Sequence, residues 1–218
     1  MSGKIKSAYR RSKAIYDDVL TQSKWWSRLY ISLFWKIDDI KIAGNLLNMF
    51  PDGFNGKLLD VPCGTLNLTA VKYNHMKNAD IICLDYSEDM LEKARERIKE
   101  FNLESVFAVQ GDVGCLPYPD DSFDIVLSMN GFHVFPDKLK AYQETARVLK
   151  PGGMFCGCFY VRGEYAPSDF AVNVLLSKKG WFTPPFQSKD EVRRTLSRYY
   201  RQTDVQSDKA MIWFKCVK

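Results

Sequence analysis

The chain has 218 residues, of which 46% are apolar and 14% aromatic, and its formal net charge is +5. This length and composition suffice for a full hydrophobic core, so we expect a single domain over residues 1–218. No apolar run approaches the roughly 20 residues that a membrane span needs, and the basic N-terminus lacks the continuous apolar stretch of a secretory signal.

Cysteine and histidine usage bears on the compartment and on metal binding. Six cysteines in a chain of this length are too sparse for the disulfide framework of a small secreted domain. Cys156 and Cys158 would share one face of a strand, but His75 and His133 are the only histidines, so we expect no zinc site. The sequence predicts a reduced, cytoplasmic protein without a metal.

The positive charge is concentrated near the N-terminus. Residues 1–36 contain eight basic side chains against Asp17 and Asp18, so the rest of the chain is close to neutral. A basic arm can contact phosphates or anionic lipid, although such an arm is more often simply solvated.

The first predicted element is an aromatic helical segment. Between residues 15 and 50 the pattern is helical. Its aromatic side chains are Tyr16, Trp25, Trp26, Tyr30, Phe34, Trp35 and Phe50. Gly53, Asn55 and Gly56 then interrupt the helical pattern before the first strand.

Strands and helices alternate after this break. Strands are predicted at 57–61, 80–85, 105–110, 123–129, 153–161 and 211–217, and helices at 66–75, 87–101, 137–149 and 188–200. Ser87 is the predicted N-cap of the second of these helices, and residues 150–153 should stop the third. Residues 162–187 lack clear periodicity and are interpreted as an insertion over the sheet edge. The alternation predicts an α/β fold with a parallel sheet covered on both faces.

Three carboxylates stand at successive strand ends. Asp60, Asp85 and Asp112 each follow a predicted strand. Ligands of open α/β sheets lie beyond the carboxyl ends of the strands, so these residues would form three layers around one elongated ligand. An ionised carboxylate accepts two hydrogen bonds, which suits a ribose diol at Asp85. The alternative is that Asp85 and Asp112 only cap helices or turns.

Four segments together resemble a known family. They are LLDVPCGTLNLT (58–69), IICLDYSEDML (81–91), VQGDVGCLPYPDDSFDIVLSM (109–129) and RVLKPGGMF (147–155). In this order they resemble the class I S-adenosylmethionine-dependent methyltransferases, of the small-molecule type that includes the ubiquinone/menaquinone methyltransferases. The resemblance extends from Tyr16 to the C-terminus.

This resemblance implies an architecture for the whole chain. The expected fold is a Rossmann-like, mostly parallel seven-stranded sheet with helices on both faces and an aromatic N-terminal helical lid. Residues 1–56 would form the N-terminal helical arm or lid, and residues 57–161 the cofactor-binding core. Residues 162–187 would form a lid insertion, and residues 188–218 a C-terminal helix and strands.

The resemblance also implies S-adenosyl-L-methionine as the cofactor. Asp85 would hold the ribose, Tyr86 would pack against the adenine, and Asp112 would accept from the adenine amino group. The implied cofactor-binding residues are Asp60, Cys63, Gly64, Asp85, Tyr86, Gly111, Asp112, Val113 and Asn130. Either Tyr16 or Tyr30 corresponds to the family's N-terminal tyrosine that closes on the cofactor.

The glycine turn departs from the family pattern. The pattern is acidic-x-Gly-x-Gly-x-Gly, and this chain has Asp60-Val-Pro62-Cys-Gly64-Thr-Leu66. Pro62 has no N–H, and Leu66 places a branched side chain where glycine lets a ligand approach the backbone. A nicotinamide dehydrogenase is disfavoured, because its pyrophosphate must rest against this backbone. S-adenosylmethionine has no phosphate there, so its pocket tolerates the loss better.

The predicted function is in-line methyl transfer to a small, apolar or aromatic metabolite. His133 lies in a segment, residues 131–137, that resembles the one facing the methyl donor in the family. It is the candidate acid–base catalyst, with hydrogen bonding to a turn as the alternative. The aromatic residues of the two lid segments would either cover a flat acceptor or serve as ordinary core.

Two other functions stay open. The first is an RNA methyltransferase that uses the basic arm, although a small-molecule partner and no nucleic acid are expected. The second is a catalytically silent methyltransferase-fold binding protein, motivated by Pro62 and Leu66. The sequence determines neither the acceptor atom nor the oligomeric state.

Overall fold

Seven strands of the described residues form one sheet. The computed structural model describes residues 39–50, 53–178 and 180–218. The strands are β1 (Lys57–Asp60), β2 (Asp80–Asp85), β3 (Val106–Gln110), β4 (Phe123–Met129), β5 (Leu149–Tyr160), β6 (Gln202–Asp208) and β7 (Met211–Val217). The helices are α1 (Asp39–Leu47), α2 (Ala70–Asn74), α3 (Glu88–Glu100), α4 (Lys138–Val148), α5 (Ala166–Ala171) and α6 (Lys189–Tyr199), and a π-helical turn (Val172–Leu176) follows α5.

The sheet is parallel through its first five strands. Its order is β3-β2-β1-β4-β5-β7-β6, and β7 runs antiparallel to both β5 and β6. β1 therefore lies between β2 and β4, and the strand order reverses there. In open α/β sheets a ligand lies beyond the carboxyl ends of the strands next to such a reversal. The predicted Rossmann-like fold with seven mostly parallel strands is confirmed.

Helices cover both faces of the sheet. On one face, Tyr142 of α4 and Leu196 of α6 belong to the same cluster as Phe155 of β5. On the other face, side chains of α1, α2 and α3 share a cluster with Cys156 and Cys158 of β5. Neighbouring residues of β5 thus face opposite clusters, as the period of two in a strand requires. Burial on both faces explains why these strands are continuous apolar runs in the sequence.

The first helix of the core starts later than predicted. The expected helix at 66–75 begins only at Ala70. Leu66 has a φ of 58°, which belongs to the left-handed region and cannot continue a right-handed helix. Residues 66–69 therefore form a turn that extends the glycine turn after β1.

The predicted stop at residues 150–153 lies inside a strand. α4 ends at Val148, and β5 already begins at Leu149, which pairs with Phe123. The register then shifts, and the next pair is Ile125 with Met154. The Lys-Pro-Gly-Gly segment is therefore an irregularity in the β4–β5 pairing and not a separate turn, and its proline is accommodated at that irregularity.

The insertion at 162–187 contains helical structure that its sequence did not indicate. Pro167 lies in the first turn of α5, where its missing N–H needs no partner. Val172, Leu176 and Trp181 pack with Tyr160 at the end of β5. The π-helical turn has a wider hydrogen-bond spacing than an α-helix, so its apolar side chains do not follow the 3.6-residue period.

Part of the predicted N-terminal helical segment falls outside the described residues. α1 belongs to that segment, and its Ile42 and Leu46 pack against the sheet. Tyr16, Tyr30 and the other aromatic residues before residue 39 lie outside the described part of the chain. Among the described residues, no helix combines the length and the apolar character required to cross a membrane.

Two glycines provide a matched test of the packing. A Cβ at Gly157 of β5 would clash with the Ser128 carbonyl oxygen, whereas a Cβ at Gly44 of α1 would meet nothing within 4 Å. We expect Gly157→Ala to lower the free energy of unfolding by about 1–3 kcal/mol through overpacking. Gly44→Ala should raise it by about 0.5–1 kcal/mol through helix propensity. Urea denaturation of both variants measures the difference, and a neutral Gly157→Ala would contradict the close approach of β4 and β5.

Candidate active site

A cleft opens at the carboxyl ends of β1, β2 and β4. It opens to solvent, and apolar side chains line it together with several polar groups, as is usual for small-molecule sites. All nine residues predicted to contact the cofactor line this cleft: Asp60, Cys63, Gly64, Asp85, Tyr86, Gly111, Asp112, Val113 and Asn130. The topology brings them together because β3, β2, β1 and β4 are consecutive in the sheet.

The glycine turn keeps a glycine-like backbone despite its altered sequence. Gly64 has a φ of 56°, and Leu66, in the position of the third glycine, has a φ of 58°. A left-handed conformation costs a residue with a side chain about 1–2 kcal/mol. Burial of the Leu66 side chain, which is only 1% exposed, offsets a cost of this size. Arg97 of α3 also donates a hydrogen bond to the carbonyl of Thr65 and holds the turn in place.

Pro62 stands in the position of the first glycine of the family pattern, and its ring packs against Gly131. A Cβ at Gly131 would lie 2.4 Å from Cδ of Pro62 and 2.6 Å from Cζ of Phe135. The absence of a side chain at Gly131, just after β4, therefore leaves the space that the proline ring fills. Pro62 removes one backbone donor from the cleft, but the cleft stays open beside it.

Asp85 combines a structural role with a place in the cleft. Its Oδ2 accepts from Gly64 N at 2.9 Å and its Oδ1 accepts from Ser87 N at 2.8 Å. Burial raises the pKa of Asp85 from its ordinary value of 3.8 to about 6, although these backbone hydrogen bonds lower it. Each carboxylate oxygen has two lone pairs, so both oxygens keep capacity for a ligand hydroxyl.

Asp60 is a buried carboxylate at the end of β1. It is 1% exposed, and its Oδ2 accepts a hydrogen bond of 2.8 Å from the Tyr73 hydroxyl. Burial raises the pKa of Asp60 to about 7; the Tyr73 hydrogen bond opposes this shift and the nearby charge of Asp85 adds to it. A cationic ligand group would stabilise the ionised form of both carboxylates, because it would supply the positive charge that their surroundings lack.

Asp112 also has two roles. Its Oδ1 accepts from Gly114 N at 2.8 Å, which closes the turn after β3. The same residue lines the cleft. The sequence left two roles open for Asp85 and Asp112, contact with a ligand or capping of a helix or turn. The structure shows that both residues cap a local turn and also line the cleft.

Thr69 is a candidate ligand contact that sequence reasoning missed. It lines the cleft and is 2% exposed, and its Oγ1 has no hydrogen-bond partner among the described residues. A buried hydroxyl without a partner is costly unless a ligand or water satisfies it. The threonine precedes a helix of only five residues, and no motif in the sequence marks such a residue as a contact.

His133 does not fit the predicted acid–base role. It is buried, and it is absent from the residues that line the cleft. Its ring stacks on Phe182 with centroids 4.2 Å apart, and its Nδ1 accepts a hydrogen bond from Tyr160 N at 3.3 Å. Burial, together with the charge of Lys138, lowers its pKa to about 3, so the ring is neutral. The alternative was hydrogen bonding to a turn; the observed bond is instead to the backbone N–H of Tyr160, the last residue of β5.

Comparisons with known proteins agree with the geometry of the cleft. A family described as a methyltransferase domain matches residues 58–153. The demethylmenaquinone methyltransferase of Listeria welshimeri is 39% identical over 97 residues, which are 44% of this chain and 41% of that protein. The chloroplastic 2-methyl-6-phytyl-1,4-hydroquinone methyltransferase 1 of Oryza sativa is 32% identical over 199 residues, which are 88% of this chain and 56% of that protein.

Over residues 58–153 the chain is similar to a methyltransferase domain, and it resembles the class I S-adenosylmethionine-dependent methyltransferases. A solved S-adenosylmethionine-dependent methyltransferase from Thermotoga maritima shares the fold, with a TM-score of 0.70 at 18% identity, covering 98% of this chain and 99% of that one. The chain spans about half the length of the curated relatives it matches.

The residues of the cleft fit the cofactor of this methyltransferase family. Carboxylates at three consecutive strand ends, a glycine-like turn and the unpartnered Thr69 hydroxyl together offer acceptors for a ligand with several hydroxyl and amino groups. S-adenosyl-L-methionine has such groups along its whole length.

We expect Asp85→Ala to weaken the binding of S-adenosylhomocysteine by about 10- to 150-fold, because charge-assisted hydrogen bonds contribute about 1.5–3 kcal/mol. Asp80→Ala is the matched control, since Asp80 is exposed at the opposite end of the same strand, and it should bind as the unaltered chain does. Titration calorimetry measures both affinities, with circular dichroism to establish folding. Unchanged affinity in a folded Asp85→Ala variant would remove the assignment of Asp85.

The buried carboxylates make stability depend on pH with a defined sign. The pKa of Asp60 is higher in the folded chain, about 7, than its ordinary value of 3.8. The folded state therefore binds protons more tightly than the unfolded state between these values, and the free energy of unfolding falls as pH rises through this window. We expect Asp60→Asn to stabilise the cofactor-free protein at pH 7.5 by at most about 4 kcal/mol, with little gain near pH 4.

Asp124→Asn is a control in which the change in the free energy of unfolding should have the opposite sign. Burial alone would raise the pKa of Asp124, but hydrogen bonds from Lys150 and from Lys57 N lower it overall. This variant should lose stability at pH 7.5 and lose less in acid. Urea denaturation at several pH values compares the two variants, and an Asp60→Asn protein destabilised equally at all pH values would contradict the electrostatic cause.

Proposed function

We propose that this chain transfers the methyl group of S-adenosyl-L-methionine to a small apolar ring acceptor of the hydroquinone class. The observation that carries the proposal is the single cleft in which Asp60, Asp85 and Asp112 meet at consecutive strand ends. The acceptor class is supported by the names of the relatives, one a demethylmenaquinone methyltransferase and one a 2-methyl-6-phytyl-1,4-hydroquinone methyltransferase.

The strand order gives the proposed direction of the cofactor. Asp112 follows β3, Asp85 ends β2, Asp60 ends β1 and Asn130 follows β4, so these residues form a row across the sheet. In the proposed arrangement the adenine lies by Asp112 and Val113, and the ribose lies by Asp85. The methionine part then lies by Asp60 and β4.

The methionine end matches the charge of its surroundings. Its ammonium group would supply the positive charge that the buried Asp60 lacks among the described residues. Thr69, with its unpartnered hydroxyl, lines the same cleft and is proposed as a further contact. Gly64, Cys63 and Gly111 are proposed as backbone walls of the site, and Tyr86 as the residue that packs against the adenine.

The acceptor would enter at the β4 end of the cleft. Met129, Val134 and Phe135 line the cleft there and present apolar side chains to a ring acceptor. When bound, S-adenosylmethionine supplies a sulfonium methyl group that an acceptor attacks in line, with S-adenosylhomocysteine as the leaving group. The contribution of these residues is to hold the ring in near-attack geometry and to exclude water. An ionised hydroquinone oxygen donates electron density to its own ring, so that a ring carbon forms the bond to the methyl group as the sulfonium C–S bond breaks. The proton on this carbon then passes to the oxygen, which restores the aromatic ring, so the proposal requires no histidine at this position.

Organisation and location stay predictions. We infer one methyltransferase domain, because a single sheet extends from β1 to β7 and joins the predicted core to the C-terminal strands. A reduced, cytoplasmic location is the expectation from cysteine usage; the rice relative is named as chloroplastic.

The direct test is methyl transfer from isotopically labelled S-adenosylmethionine to defined acceptors. We expect label in a reduced naphthoquinone and in a prenylated benzohydroquinone, and none in RNA. Asp85→Ala should lose this transfer, and Asp80→Ala should keep it. If the cofactor binds but only an amine or thiol acceptor is labelled, the acceptor class is wrong. If the cofactor does not bind, the proposed activity is wrong as a whole.

A further inference from the structure

A second groove lies between the first turn of α4 and one side of α6. Residues 185–187 border it, and it opens to solvent. Its charged lining side chains are Asp137, Lys138, Arg162, Glu191, Arg194 and Arg198. The groove is separate from the cofactor cleft, but the two share one segment of chain, because Val134 and Phe135 line the cleft and Pro136 to Leu139 line the groove.

The acidic side chains of this groove are already engaged. Glu191 pairs with Arg162 at 2.9 Å and also accepts from Ser188 N at the start of α6. Asp137 caps α4 by accepting from Lys140 N at 3.0 Å. Glu191 is therefore neutralised by Arg162, whereas Asp137 keeps its negative charge; four basic and two acidic lining side chains leave the groove with a net positive charge.

Two arginines of α6 face the groove without a partner. Arg194 and Arg198 are one helical turn apart, so their side chains extend from the same side of the helix. Neither forms an ion pair or a hydrogen bond with the described residues of the chain. Guanidinium groups at this spacing suit an oxyanion that accepts from both of them.

Lys138 adds a buried charge to the wall of the groove. Its residue surface is only 9% exposed. Its Nζ donates to the Phe135 carbonyl at 3.0 Å and to the Thr183 carbonyl at 2.8 Å. An ammonium group has three donors and both acceptors are neutral, so one N–H and the whole positive charge lack a partner among the described residues. Burial accordingly lowers the pKa of Lys138 to about 8.

We propose that this groove is a phosphate-binding site, in which Lys138 is the buried anchor and Arg194 and Arg198 complete the contact. A phosphate group has at least three terminal oxygens and a charge of about −1.5 to −2 near neutral pH, so it can accept from the ammonium and from both guanidinium groups. A solvated basic surface would not need a lysine that is almost wholly removed from water.

Occupancy of this groove would act on the cofactor cleft through Lys138. The Nζ of Lys138 joins the carbonyl of Phe135, which lines the cleft, to the carbonyl of Thr183 in the insertion. Thr183 N in turn donates to the carbonyl of His133 at 2.8 Å. A phosphate that fixes Lys138 therefore also fixes the chain segment between the groove and the cleft. The proposed site does not rest on the methyl transfer proposed above.

Titration calorimetry with inorganic phosphate, at pH 7 and constant ionic strength without cofactor, tests the site. We expect saturable binding to the full chain, weakened at least about tenfold by Lys138→Met and by the double substitution Arg194→Gln and Arg198→Gln. The arginine variant changes only exposed side chains, so it tests the site even if Lys138→Met fails to fold. Lys140→Met, an exposed lysine of the same helix, and Arg193→Gln are the controls and should bind phosphate as the unaltered chain does.

Vesicles distinguish a lipid headgroup from a soluble phosphate. Binding to vesicles that contain phosphatidic acid, but not to phosphatidylcholine vesicles, with loss in the arginine double variant, assigns the phosphate to a lipid. Binding of inorganic phosphate alone assigns it to a soluble ligand. The proposal is overturned if neither probe binds, or if the double arginine variant binds as tightly as the unaltered chain.

Discussion

Two carboxylates that are buried without a counter-charge constrain the rest of the cleft. Asp60 and Asp85 end neighbouring parallel strands, and neither forms an ion pair with the described residues. Their partners are a tyrosine hydroxyl and backbone N–H groups, which position the carboxylates but do not neutralise them. Burial therefore raises both pKa values. Such a site is less stable when empty than when a ligand supplies positive charge and hydrogen-bond donors.

The glycine turn after β1 keeps a glycine-like backbone, although two of the three glycines of the family pattern are replaced. Leu66 adopts the left-handed conformation of a glycine and places its side chain in the core beneath the turn. The ring of Pro62 occupies the space beside Gly131. The replacements thus change the inner packing of the turn, and both Pro62 and Leu66 also line the cleft. Steric access for a ligand depends on where these side chains point and not only on the number of glycines in the turn.

The segment from Gly131 to Leu139 connects three parts of the molecule. Its first residues pack against the turn after β1, its middle residues line the cofactor cleft, and its last residues line the groove beside α6. His133 and Lys138 hold the insertion against this segment through ring stacking and carbonyl hydrogen bonds. These basic and aromatic side chains join the insertion to the core. A structural change in the cofactor cleft or in the groove beside α6 is therefore transmitted through the same few residues.

The sequence by itself determined the alternation of strands and helices and the carboxylates at the strand ends. These follow from local signals: apolar runs, turn residues and the position of a residue relative to the end of its strand. The resemblance to a family implied nine of the residues that line the cleft. Tertiary structure alone decided the orientation of His133, the conformation of Leu66, the unpartnered hydroxyl of Thr69 and the burial of Lys138. Each of these depends on which distant side chains surround the residue, Phe182 and Tyr160 for His133 and the Thr183 carbonyl for Lys138. Burial and electrostatic environment depend on residues that are distant in the chain, so the local sequence pattern does not predict them.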